Sequence, residues 1–226
     1  MAEKKEISFQ YKVENTLASF WNKNRNILLI TGIALIAILV IVIISLQVSS
    51  NRNEANMGKV DQLSEQYASW VALEDITTSE AVELAATLKT DLLQLAKNNS
   101  SYPSVKAHYL LGLIAFKEGS FDEAKTQFLI TLDKGRKSYF ASLSLFNLAV
   151  TSEQMNDTSG ALDYYKQVYD LSNGEAAQSA KALFNVGRIH EENSDIDLAK
   201  AVFQQLSDEY PASEYAKLAK SKLVLL

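Results

Sequence analysis

Residues 183–211 read LFNVGRIHEENSDIDLAKAVFQQLSDEYP, and the fold follows from the spacing within them. Gly187 lies in the middle of one apolar-striped helix, Ala199 follows twelve residues later on a second, Phe203 comes four residues after that, and Pro211 closes the unit. The same intervals occur twice upstream, as Gly112, Ala124 and Phe128 and then as Ala149, Ala161 and Tyr165, with 37 and 38 residues between the small positions. Tyr102-Pro103-Ser104 and Tyr210-Pro211-Ala212-Ser213 bracket the array, 108 residues apart. A small residue on a first helix lets a second helix approach closely, with the alanine of the second expected opposite it. The aromatic one turn later is expected to fill the gap to the next unit, and proline suits a chain that ends one helix and begins another. Each pair buries its apolar stripe only against a neighbour, so the units are expected to stack as an all-α solenoid.

These residues resemble the tetratricopeptide repeat. Leu183, Val186, Gly187, His190, Ala199, Phe203 and Pro211 match its pattern best. The middle copy keeps Leu145, Leu148, Ala149, Ala161 and Tyr165, with Asn173 in the place of the proline, and the first keeps Leu111, Gly112, Ala124 and Phe128, with Arg136 there. Three copies in one register make the match specific over residues 104–211.

Working outward, residues 60–73 and 79–96 have helical apolar spacing, and Thr77, Thr78 or Ser79 can cap the second helix ahead of Glu80. Together they read as a degenerate leading hairpin over 58–103, which ends at the polar turn Asn98-Asn99-Ser100-Ser101. Residues 212–226 read as a closing helix, with Lys217, Lys220 and Lys222 facing water and suiting its C-terminal dipole.

Nearer the start, the twenty residues Ile27 to Leu46 carry no charge, and only Thr31 and Ser45 bring hydroxyls. At about 1.5 Å per residue such a helix covers roughly 30 Å, a bilayer's hydrocarbon thickness, so residues 27–47 are expected to form one transmembrane helix. A cleaved secretory signal is the competing reading, with Val48 and Ser50 as small residues at a cleavage point. Its apolar region normally spans about 7–15 residues, and the longer run favours a retained anchor. Lys4, Lys5, Lys12, Lys23 and Arg25 precede the run, a bias that places the N-terminus in the cytoplasm. Val13, Leu17, Phe20 and Trp21 share one helical face, so the tail 1–26 is expected to hold an interfacial amphipathic helix. Residues 48–57 read as a polar linker.

Composition narrows the function. Beyond Leu46 the chain has 17 basic and 24 acidic residues, a balance that argues against nucleic acid as a partner. With no cysteine there are no disulfides, no thiolate metal sites and no lipid-modified N-terminal cysteine. His108 and His190 lie on first helices of different repeats, neither with a second histidine at i+3 or i+4, and read as packing residues. Gly135-Arg136-Lys137-Ser138 lacks the earlier glycine and preceding strand of a phosphate loop and reads as a helix-ending turn. Glu153, Glu191, Glu192 and Asp195 read as a solvated acidic surface. No nucleophile stands with a base, so no enzyme, cofactor or metal is expected.

The register places Tyr109, Phe146 and Phe184 at one position of the three first helices, beside Leu110, Asn147 and Asn185 and beside Leu113, Val150 and Arg188. Tyr109, Leu113, Phe146, Asn147, Phe184, Asn185 and Arg188 are the candidate partner-binding residues. They suit a groove for an extended or helical polypeptide, while packing between helices is the other role open to the aromatics. Some tetratricopeptide proteins grip acidic chaperone C-termini with lysines and asparagines. Asn147 and Lys181 match two such positions, but Tyr109 and Leu113 replace the other two, which argues against that clamp.

The layout also resembles the YfgM-like proteins, ancillary subunits of the SecYEG translocon, in its short tail with the segment Val13 to Asn26, one anchor and an acidic repeat domain. That resemblance implies a bacterial inner-membrane, single-pass protein with its repeats in the periplasm. The partners it implies are the SecYEG translocon, a periplasmic chaperone and exported chains. Tyr210 to Ala216 is similar to periplasmic repeat proteins of cell-envelope assembly, and a structural scaffold of a cell-division or secretion complex is the alternative function.

Overall fold

The computed structural model describes residues 9–97, 101–171 and 173–226, with the side chains described from residue 11 onward. The expected turn at Asn98 to Ser101 therefore falls largely outside the described residues, as do Lys4 and Lys5. Among the described residues the structure is all-α: α1 (Phe9–Val71), α2 (Ser79–Ala96), α3 (Tyr102–Lys117), α4 (Phe121–Lys134), α5 (Phe140–Gln154), α6 (Thr158–Asp170), α7 (Ser179–Glu192), α8 (Ile196–Glu209) and α9 (Glu214–Leu225).

The chain divides into two units, one ending at Glu54 and one running from Ala55 to Leu226. In the first, the apolar residues of 27–46 other than the half-buried Leu28 are exposed, with Leu35, Ile36 and Ile41 each about two-thirds accessible. Thr31 donates its hydroxyl to the carbonyls of Ile27 and Leu28 at 2.9 and 3.0 Å, so it adds no unsatisfied polar group to the apolar run. The helix is long and apolar enough to cross a membrane. Residues 48–57, read above as a linker, are helical.

The second unit is a stack of helical hairpins. Each helix from α2 onward packs on the next, and first helices also meet first helices, α3 on α5, while α7 meets α9. The leading hairpin is built around Val60, Leu63 and Trp70 of α1 and Leu88, Leu92 and Leu95 of α2, packed on Leu111 and Ile114 of α3. Trp70 is 1% exposed, and its indole N–H donates to the Ala81 carbonyl at 3.1 Å. Thr78 caps α2 by accepting from the Ala81 amide.

Within the repeats, the aromatic rather than the alanine covers the small residue. A Cβ on Gly112 would lie 2.6 Å from Phe128 Cε1, and one on Gly187 2.5 Å from Phe203 Cε1. Helical side chains lean toward the N-terminus of their own helix, so a residue one turn beyond the alanine covers the level at which the alanine itself meets the first helix. The middle repeat carries Ala149 and Tyr165 in the same places, both buried.

Each repeat also turns the same way between its helices. Gly119, Asn156 and Ser194 stand seven residues after the three small positions, and all have positive φ, of 77°, 60° and 65°. The amide after each bonds back five residues, Ser120 to Ala115, Asp157 to Ser152 and Asp195 to His190, at 2.8–2.9 Å. This left-handed helix end satisfies carbonyls the helix leaves open, and glycine adopts it at least cost. Gly119→Ala is expected to lower stability by about 1 kcal/mol, although no neighbour lies within 4 Å of the added methyl. Ser194→Gly is expected to be neutral to slightly stabilising. Chemical denaturation of the two variants checks both.

Candidate protein-binding face

The candidate residues all lie on first helices. Tyr109 and Leu113 sit on α3, Phe146 and Asn147 on α5, and Phe184, Asn185 and Arg188 on α7, and every one is half-buried. The three aromatics repeat one contact. Tyr109 lies 5.9 Å from Phe128, Phe146 5.3 Å from Tyr165, and Phe184 5.7 Å from Phe203. Each ring thus rests on the aromatic of its own second helix and leaves part of its surface open. Leu113 packs with Tyr109 and Phe116 in the same cluster.

Polar bonds tie neighbouring repeats across this face. Asn147 donates its side-chain amide to the Tyr109 hydroxyl at 3.0 Å, joining α5 to α3. Lys181 holds its ammonium 4.6 Å from the centre of the Phe146 ring, joining α7 to α5. Arg188 pairs with Glu153 at 2.6 Å and with Glu192 at 2.9 Å, and Tyr165 donates its hydroxyl to the other Glu153 oxygen at 2.7 Å. Burial alone would lower the Arg188 pKa, but its bonds to Glu192 and Glu153 outweigh that and raise it. Burial, then the bond to Glu153, pushes the Tyr165 phenol well up, so it remains a donor.

These contacts change what the face can offer. One amide N–H of Asn147 is already used, and Asn185 donates to the Lys181 carbonyl while accepting from Arg188. What remains free is mainly ring surface and aliphatic side chain, so the face is better suited to side-chain burial than to backbone pairing. Sequence reasoning placed these residues on one face but missed Glu153, Lys181 and Tyr165 as its supports. The 35-residue and 38-residue separations of Arg188–Glu153 and Asn147–Tyr109, each close to one repeat length, were the available signal.

The histidines stand apart from this face's chemistry. His108 is 9% exposed and shares a 2.8 Å hydrogen bond between Nδ1 and the Gln127 side-chain oxygen. Burial lowers its pKa, and because the Gln127 oxygen can only accept, Nδ1 is the donor in this bond. His190 is 7% exposed and faces Asp195 at 3.4 Å. Among the described residues no cluster of three or more histidine or carboxylate side chains is placed to hold a metal.

An array of helical hairpins with one recurrent glycine–aromatic contact defines a helical-repeat protein. More particularly, residues 109–176 and 181–213 match the tetratricopeptide repeat family, and these stretches are tetratricopeptide repeats. Such repeats imply a module for protein–protein interaction. Among similar proteins, the photosystem I assembly protein Ycf3 of Cyanophora paradoxa is 29% identical over 106 residues, covering 44% of this chain and 59% of that protein. A TPR repeat-containing protein of Treponema pallidum (strain Nichols) is 26% identical over 113 residues, covering 50% of this chain and 46% of that protein. The chain spans about half the length of the curated relatives it matches.

Proposed function

We propose that this chain is a non-enzymatic, membrane-anchored protein-binding module whose repeats face the periplasm and serve protein export or envelope-protein assembly. The observation that carries the binding role is the row of half-buried rings, Tyr109, Phe146 and Phe184, at one position of three stacked first helices. The exposed apolar run 27–46 supports the anchor, since so long an apolar surface needs lipid or protein against it. The basic residues ahead of it support a cytoplasmic N-terminus. A similar protein is named as a photosystem I assembly protein, which is in keeping with an accessory role in assembly here. The SecYEG translocon, a periplasmic chaperone and exported chains are the partners this reading favours.

The test places a photo-crosslinking amino acid at positions 109, 146 and 184 in cells and identifies the trapped proteins. Many exported chains are expected. One or two stoichiometric subunits alone would favour a structural scaffold in a division or secretion complex. Alanine at Tyr109, Phe146 or Phe184 is expected to weaken capture by about 1–2 kcal/mol with helicity retained. Capture unchanged by all three substitutions would remove the face from the binding role.

A further inference from the structure

A second surface adjoins that face where α4 hands over to α5, with Tyr109 5.3 Å from Phe140. Gly135 ends α4, and Ser138 holds the turn, its amide and hydroxyl both donating to the Gly135 carbonyl at 2.8 and 2.7 Å. A side chain at Gly135 would meet Val105 Cγ1 at 2.7 Å, so the turn is seated against α3. It displays Lys134, Arg136 and Lys137, and none of the three pairs with a carboxylate among the described residues.

Beside these free cations stands an exposed aromatic pair. Tyr139 is 58% exposed and stacks at 4.3 Å on the buried Phe140, and its hydroxyl lies 3.3 Å from that of Tyr102, itself 39% exposed. Burial, then the bond with Tyr102, pushes the Tyr139 phenol up to about 12, so it stays protonated at neutral pH. Two open clefts flank the turn. One of about 470 Å³ runs between Arg136, Tyr139, Leu171 and Gln178, with Glu175 as its carboxylate. The other, of about 230 Å³, lies between Tyr102, Lys134 and Phe140.

We propose that this turn is a second docking surface, taking an acidic polypeptide segment that carries an aromatic or large apolar side chain. Charge complementarity selects the occupant. Three unpaired cations on a chain of net charge −5 attract carboxylates locally, whereas the surrounding acidic surface repels a polyanion as extended as nucleic acid. Tyr139 and Leu171 offer the apolar contact, and the pinned turn leaves little ordering to be done on binding. The residues are distinct from those of the first-helix face, so the two surfaces can be tested separately.

The probe is a fluorescein-labelled synthetic peptide of glutamates interspersed with leucine and phenylalanine, titrated by anisotropy against the full-length chain in detergent. The combined K134Q, R136Q and K137Q variant is expected to bind about tenfold more weakly with an unchanged thermal melt. A twin peptide with glutamine for glutamate is expected to lose a similar factor, and rising salt to weaken only the acidic peptide. The reversed variant R136E with K137E is expected to prefer a twin with lysine for glutamate, which tests the site even if the neutralised variant folds poorly. Failure of the wild-type chain to bind the acidic peptide, or binding indifferent to these substitutions, overturns the proposal. Loss of binding to phosphatidylglycerol vesicles in the neutralised variant, with no peptide binding by wild type, would assign the turn to a lipid surface instead.

Discussion

Full-length protein carrying Gly187→Leu is expected to melt roughly 10 °C below wild type. The first carbon added at this position already meets the Phe203 ring at 2.5 Å, and Phe203 is fully buried, so the ring has no solvent to move into. The remaining three carbons of leucine can enter only by driving α7 and α8 apart. Overpacking of this kind costs typically 1–3 kcal/mol, and the rigid ring opposite places it near 3. At about 2–4 °C per kcal/mol for a chain of this size, the shift is well outside error. Gly187→Ala is expected to cost less than leucine but not nothing, because it adds only the first carbon, which itself already meets the ring. Lys200→Ala serves as the surface control, and a Gly187→Leu melt equal to it would dissolve the glycine–aromatic register.

Trp70→Ala should have an effect at least as large at the other end of the stack. It removes a ring that is 1% exposed, packs near Tyr67 and donates to the Ala81 carbonyl. Aromatic truncation in a core costs about 3–5 kcal/mol. The loss is expected to be local as well as global, since Trp70 bonds α1 to the first turn of α2. Hydrogen exchange should therefore show α2 amides deprotected before those of α7 and α8. Uniform deprotection, or none, would mean that the leading hairpin is not held by this side chain. Trp70→Phe keeps most of the area and should lose only about 1 kcal/mol, for the hydrogen bond.

The helical pairs were legible because their positions are enforced by contact. Gly112, Gly187, Phe128 and Phe203 cannot change class without a clash or a void, so their spacing survives in the sequence. The turn that follows each first helix was not legible. Only backbone conformation is demanded there, and Gly119, Asn156 and Ser194 meet the demand with three different residue types. Residues 48–57 misled by polarity: with no glycine or proline among them, polar residues make a solvated helix as readily as a linker. For the candidate face, the sequence placed Tyr109, Phe146 and Phe184 on first helices, and they lie on α3, α5 and α7. It could not show that Asn147 and Asn185 are engaged, because hydrogen bonds between repeats depend on stacking distance and rotamer. Nor could a linear reading bring Tyr102 to Tyr139, residues 37 apart whose hydroxyls meet only once two hairpins are stacked.

The neighbour-on-neighbour stacking of α2 through α9 bears on how the protein is made. Among the described residues the main tertiary partners of α2 to α9 lie within about one repeat along the chain, so the loops that must close during folding are short and the contact order is low. A chain emerging gradually, from a ribosome or from a narrow pore, can therefore complete each hairpin against the last one without waiting for its C-terminus. Folding of this kind is vectorial, and it exposes at any instant only the apolar edge of the newest repeat. Such a chain is expected to need little assistance from folding helpers at the very place where it is proposed to receive the unfolded chains of others.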